Sequence, residues 1–150
     1  MKLDSVDKIL DFAIEKEEDA AQFYTSLSEK MDRPYMKDVF LGFAREEKGH
    51  KAKLEAIKVG KLMMSAEKKV ADLKIGDHLT DIELSAELDY QQALILAMKA
   101  EKAAYRLYRE LSEATDDAGL KETLLALANE EAKHKLRFEV EYDDVILKEN

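Results

Sequence analysis

A gapless internal repeat constrains this chain more than any other feature. Glu46-Glu47-Lys48-Gly49-His50 returns 84 positions later as Glu130-Glu131-Ala132-Lys133-His134. The same offset carries Glu17 onto Glu101, Ala20 onto Ala104, Tyr24 onto Tyr108, Leu27-Ser28-Glu29 onto Leu111-Ser112-Glu113 and Lys37 onto Lys121. Two copies of one unit fold alike, so whatever the first half builds the second builds again. Each copy holds Glu-x-x-His. On an α-helix, residues three apart share a face and stand about one turn from each other.

The surrounding pattern is helical. Apolar residues recur in alternating steps of four and three: Val6, Leu10, Ala13, Tyr24, Leu27 and Met31, with Glu17 and Ala20 in the same register. Met36, Phe40, Phe43, Leu54 and Ile57 continue the rhythm around Glu47 and His50. A third stripe holds Tyr90, Leu94, Ala97, Glu101, Ala104, Tyr108 and Leu111, and a fourth Leu120, Leu124, Leu127, Glu131, His134 and Phe138. Asp4 or Ser5 is expected to cap the first helix, which runs to about Met31. Asp32-Arg33-Pro34 forms a turn, with Pro34 opening a second helix that ends between Gly60 and Met64. The third helix starts near Asp89, and Thr115 to Gly119 makes the second turn. Beyond Phe138 the repeat fades, and the acidic tail from Glu139 to Asn150 is expected to fray.

Turns this short make antiparallel hairpins. The hairpin repeats cover about 4–62 and 89–146, joined by a crossover at about 63–88. Such a stretch can run the length of a bundle at ~3.3 Å per extended residue. Within it Ala66 to Leu73 reads as a short helix and His78 as a surface histidine in a loop. Met63-Met64 reads as a helix end packing on the crossover or on a second subunit. One proline and five glycines in 150 residues leave little material for a turn-rich fold. The expectation is a single domain, all-α: a four-helix bundle of the ferritin-like kind with one long crossover.

Composition removes several functions. A net charge of −9 argues against nucleic acid, which needs a basic face. No cysteine is present, which excludes disulfides, thiol catalysis and zinc–thiolate sites on these residues. The apolar run Ala93 to Met98 is far short of the ~20 residues of a membrane span. No apolar run follows Met1-Lys2-Leu3-Asp4, so a secretory signal is not expected, and the expected location is cytoplasmic.

Against that background six residues stand out, because each is ionisable at a position the stripes reserve for apolar side chains. They are Glu17, Glu47, His50, Glu101, Glu131 and His134. Burying an unpaired charge costs several kcal/mol, so four gathered carboxylates require a positive partner, protonation or exposure. Two divalent cations would balance four ionised glutamates, and each imidazole would give one ion a nitrogen. Mixed carboxylate and imidazole donors suit non-haem iron or manganese. One Glu from each of two helices plus Glu-x-x-His from each of the others is the donor set of di-iron carboxylate bundles. Which lone glutamate shares an ion with which histidine is open in the sequence.

Other residues carry alternatives. Tyr24 and Tyr108 lie two turns past Glu17 and Glu101, where they could bond a ligand carboxylate, shield the metals from stray redox chemistry or fill the core. Ala13, Ala20, Ala97 and Ala104 either leave room for metals and a small oxidant or allow close helix approach. Glu46 and Glu130 sit ~100° around the helix from the ligand face, as outer partners or surface residues.

These motifs resemble those of the rubrerythrin-related branch of the ferritin-like superfamily. Glu17 to Tyr24 is similar to that family's E-x-x-A-x-x-F-Y, and residues 46–50 and 130–134 are similar to its E-E-x-x-H. The resemblance implies a pair of iron ions (manganese or a mixed pair as variants), held by the six residues with Glu47 and Glu131 bridging. It implies an oxidoreductase that meets hydrogen peroxide or dioxygen. Rubrerythrins proper also carry a rubredoxin-like module and a further glutamate where this sequence has Ala104. The electron donor is accordingly expected to be a separate protein. Two other classes compete: ferritin-like iron oxidation and storage or delivery, and a non-catalytic bundle stabilised by its metals. A homodimer is compatible with the sequence.

Overall fold

A computed structural model of the chain describes residues 6–59 and 88–147. Among these residues four long helices are present, α1 (Val6–Glu29), α2 (Pro34–Lys58), α3 (Tyr90–Glu113) and α4 (Ala118–Tyr142). The expected crossover, His78, Met63-Met64 and the cap at Asp4 or Ser5 lie outside the described residues. α1 and α2 are joined by residues 30–33, and α3 and α4 by residues 114–117. Each pair is antiparallel: Lys58 near the end of α2 meets Asp11 near the start of α1, and Gln91 at the start of α3 donates to Tyr142 at the end of α4.

The helix ends follow local chemistry. Asp89 caps α3 in a reciprocal box, its carboxylate accepting from Gln92 N while the Gln92 side chain accepts from Asp89 N. Asp117 caps α4 by accepting from Leu120 N at 2.8 Å. That cap starts α4 at Ala118, so Ala118 and Gly119, expected in the turn, are helical. Pro34 takes the first turn of α2, as expected, but Arg33 before it makes no side-chain cap. α1 closes with three-residue bonds from Lys30 N to Leu27 O and Met31 N to Ser28 O, ending the helix two residues before Met31.

From Glu139 to Leu147 the tail corrects the expectation of fraying, and 148–150 lie outside the described residues. α4 continues to Tyr142, and a π-helical turn covers Asp143–Leu147. Phe138, Glu139 and Tyr142 are buried. Glu141 accepts from Tyr90 at 2.5 Å and from Tyr35, tying the last turn to α2 and α3. Packing and those two phenols hold a segment that the fading repeat left without a partner.

The core is split into two apolar layers, one at each end. Tyr24, Phe40, Phe43, Tyr90 and Phe138 make one layer rich in aromatic rings, with Phe43 and Phe138 4.0 Å apart at their centroids. Ile9, Leu10, Leu54, Leu120, Leu124 and Leu127 make the other, mostly aliphatic. The repeat relates them position by position: Phe40 matches Leu124, Phe43 matches Leu127 and Phe138 matches Leu54. Between the layers lies the polar band of the six ionisable residues.

Candidate metal centre

The fold buries all six. Glu17 is 2% exposed, Glu47, Glu101, Glu131 and His134 are 1%, and His50 is 6%. Each of the four helices contributes from its inward stripe: Glu17 from α1, Glu47 and His50 from α2, Glu101 from α3, and Glu131 and His134 from α4. His50 Nδ1 stands 3.5 Å from Glu17, 3.3 Å from Glu47 and 3.1 Å from Glu131. His134 Nδ1 stands 3.3 Å from both Glu47 and Glu101. The imidazole rings lie 5.6 Å apart and nearly parallel, at 9°.

Besides a trio of Glu47, His50 and His134, two overlapping groups of four result. In one, Glu17, Glu47, His50 and Glu131 each offer a donor atom within 4.8 Å of the others, and in the second Glu47, Glu101, Glu131 and His134 do the same. Glu47 and Glu131 belong to both. Glu17 lies beside His50 and Glu101 beside His134, while Glu47 stands 3.3 Å from both imidazoles.

The tyrosines cross between hairpins. Tyr108 on α3 donates to Glu17 Oε1 on α1 at 2.5 Å, and Tyr24 on α1 donates to Glu101 Oε1 on α3. Of the roles the sequence allowed them, the structure shows the hydrogen bond to a cluster carboxylate. Burial, followed by the nearby carboxylates, pushes both phenols well above their ordinary range, so they remain donors. Glu46 turns away from the cluster; its carboxylate stands 3.7 Å from His134 Nε2 and accepts from Arg137 Nη1 at 2.9 and 3.1 Å. Arg137 also lies over the Phe43 ring at 4.3 Å, and Phe43 meets the His134 ring edge-on. Sequence reading missed Arg137. Its signal was position, three residues past His134 on the side of the helix where Glu46 waits. Glu130, the repeat mate of Glu46, instead pairs with Lys133 at 3.5 Å.

Proteins without bound cations must manage this much buried charge by protonation. Burial, eased by the His50 ring, raises the Glu17 carboxyl to about 7. Burial, with the charges of Glu101, Glu47 and Glu17 behind it, raises Glu131 well above the usual carboxyl range. Burial alone would lower His50, but Glu17 and Glu47 lift it to about 9. His134 is likewise opposed by burial and lifted by Glu101, Glu46 and Glu47 to about 12. Burial pushes Glu47 up, yet His134 and His50 hold it at about 2.

The donor set suits a metal in what its atoms lack. Glu17 Oε2, Glu47 Oε1, His50 Nδ1, Glu101 Oε2, both Glu131 oxygens and His134 Nε2 are buried and make no aligned hydrogen bond. Buried polar atoms are nearly always partnered, and a concentration of exceptions among carboxylates marks a place for an ion or ordered water. All but two of these orphans are carboxylate oxygens, and those oxygens converge with the His50 nitrogen. The cluster has the donors and the vacant valences of a metal-binding site.

A four-helix bundle with paired Glu/His sets at its waist defines the ferritin-like carboxylate class. The Rubrerythrin family model matches residues 8–142, and the chain belongs to that family. It is similar in structure to a hypothetical protein from Pyrococcus furiosus, with 26% identity, 93% of this chain and 89% of that chain covered, and a TM-score of 0.62. It is also similar to a Thermotoga maritima protein described as a candidate ferritin-like diiron-carboxylate protein, with 21% identity, coverage of 97% and 98%, and a TM-score of 0.63. No curated protein matches. No helix among the described residues is long and apolar enough to cross a membrane.

Proposed function

We propose that the chain is a cytoplasmic non-haem di-iron oxidoreductase that reacts with hydrogen peroxide or dioxygen and draws electrons from a separate donor protein. The observation that carries this reading is the near-mirror pair of donor groups sharing Glu47 and Glu131. Glu17 and His50 would hold one ion and Glu101 and His134 the other. Two divalent cations offset four carboxylate charges, which removes the cost of burying them together. Mixed oxygen and nitrogen donors suit iron, with manganese the nearest substitute. Once bound, the ions would supply reversible electron transfer to an O–O bond.

The chain's own residues prepare that site. Tyr108 and Tyr24 each fasten one oxygen of a lone glutamate, leaving Glu17 Oε2 and Glu101 Oε2 uncommitted. Both histidines turn Nδ1 inward, and the Glu46 carboxylate, held by Arg137, stands 3.7 Å from the outer nitrogen of His134. Apolar layers above and below keep bulk water out, which strengthens every electrostatic interaction within. Ligation requires deprotonated donors, so metal uptake expels the protons held by Glu17, Glu131 and the imidazoles.

Elemental analysis after anaerobic loading should find two irons per chain, and Glu47→Ala or Glu131→Ala should abolish the pair. Stopped-flow mixing of the ferrous protein with peroxide and with dioxygen then reads the activity. Turnover with a reductant supports the oxidoreductase. Net accumulation of ferric mineral would assign iron storage instead, and inertness toward both oxidants would leave a bundle that its metals merely stabilise.

A further inference from the structure

The repeat that mirrors the six donors stops mirroring one layer further out. The offset of 84 carries Phe43 onto Leu127, Glu46 onto Glu130 and Lys53 onto Arg137. Around His134 these positions close a ring of contacts. Its Nε2 is buried and makes no aligned hydrogen bond, and the carboxylate facing it is Glu46 at 3.7 Å. Arg137 Nη1 donates to both Glu46 oxygens, at 2.9 and 3.1 Å, and so holds that side chain of α2 against α4. The same guanidinium lies 4.3 Å over the Phe43 ring, which meets the His134 ring edge-on at 4.9 Å. Around His50 the counterparts differ in kind. Leu127 has no π-face for a cation, Lys53 lacks the planar fork of arginine, and Glu130 pairs with Lys133 on its own helix at 3.5 Å. Among the described residues, the carboxylates that approach His50 do so at Nδ1.

We infer that Glu46 and Arg137 are positioning residues that make the two metal positions unequal, so that the one at His134 and Glu101 fills before the one at His50 and Glu17. The inference rests on the cation-pair reading above and adds to it an order of loading. A cation on Nδ1 leaves the imidazole proton on Nε2, which makes that atom a donor in need of an acceptor. At His134 this donor is buried and faces a carboxylate already fixed in place. An ionised carboxylate accepts at about four sites, and Arg137 occupies two of them. An approach of about 0.8 Å brings Glu46 to the ~2.9 Å of a charge-assisted hydrogen bond. Partners of this kind fix the tautomer and the ring orientation of a ligating histidine and raise its basicity, with effects of about 10–100-fold on metal affinity. Arg137 offsets the charge of Glu46, so the advantage comes from aim and hydrogen bonding, not from added negative field.

The test uses the full chain with ¹⁵N-labelled histidine and Zn(II) as a diamagnetic stand-in. Only three imidazoles are present, those of His50, His78 and His134, and long-range ¹H–¹⁵N spectra report for each which nitrogen holds metal and which a proton. Below one equivalent of zinc, His134 should carry metal on Nδ1 and a proton on Nε2, with His50 following between one and two equivalents. Glu46→Ala should weaken the His134 position by about 10–100-fold and abolish or reverse the order. Arg137→Ala should act in the same direction with a smaller effect, and Glu46→Gln, which keeps an oxygen acceptor, should hold the order by a narrower margin. Glu130→Ala should leave it unchanged. Simultaneous filling or His50 first in the parent would overturn the inference. So would a Glu46→Ala protein that loads in the parental order, which would reduce Glu46 and Arg137 to a tie between α2 and α4. Two ions bound without order sink this inference alone, whereas a chain that takes up neither Zn(II) nor Fe(II) sinks the di-iron reading along with it.

Discussion

Tyr24 and Tyr108 show how much a single side chain can decide here. Each sits at the same place in its repeat, and each reaches across to the lone glutamate of the opposite hairpin. A phenol fixed on Oε1 restricts the carboxylate and leaves Oε2 for an ion. Partners of metal-bound side chains typically contribute 10–100-fold in affinity. Tyr24→Phe and Tyr108→Phe should therefore each weaken metal binding by roughly that factor, with two ions still bound at saturation. Competition against a fluorescent chelator measures it, and unchanged affinity would reduce both tyrosines to core packing. The six ionisable residues were legible from sequence because each breaks an apolar stripe and the first three return as the other three at one offset. The crossing was not legible. It depends on how the hairpins face each other, which periodicity within a helix does not encode.

Helix ends obey more local rules, and the repeat provides its own comparison. Position 33 is the mate of position 117, yet Arg33 makes no cap while Asp117 accepts from Leu120 N. Arg33 has extended backbone, φ −98° and ψ 138°, already suited to a capping side chain. Arg33→Asp should stabilise the protein by about 0.5–1 kcal/mol, and Asp117→Ala should cost about 1 kcal/mol. Urea titration of both variants in the metal-free state reads the difference without interference from ligands. A loss on Arg33→Asp would show that the arginine has a role beyond starting the helix. Sequence alone predicted the hairpins and Pro34, whose signals are local. The end of α4 was misread because its supports, Tyr35, Tyr90 and Gln91, are distant in the chain and come together only in the folded bundle.

At the scale of the whole molecule, two apolar ends pay for a polar middle, and metal removal exposes that trade. The raised groups are Glu17 (about 7), Glu131, His50 (about 9) and His134 (about 12). Between roughly pH 5 and 9 the folded metal-free protein thus holds protons that the unfolded chain has released. Stability falls with rising pH wherever the folded state binds more protons, by about 1.4 kcal/mol per pH unit for each extra proton. The histidine contributions are whole below about pH 6.5 and fade upward, and the Glu17 cost grows until about pH 7. Glu46 and Glu47, both held at about 2, act in the opposite sense but only below about pH 4.5, outside this window. Metal binding reverses the trend, because ligation needs the deprotonated donors that higher pH provides, and binding to the folded state adds directly to stability. Melting curves recorded with chelator and with two equivalents of Mn(II) should therefore diverge as pH rises from 5.5 to 8.5, the metal-free midpoint dropping and the loaded one holding or rising. A metal-free midpoint that climbs over the same range would mean that the buried carboxylates do not share the site's protons in the way their spacing requires.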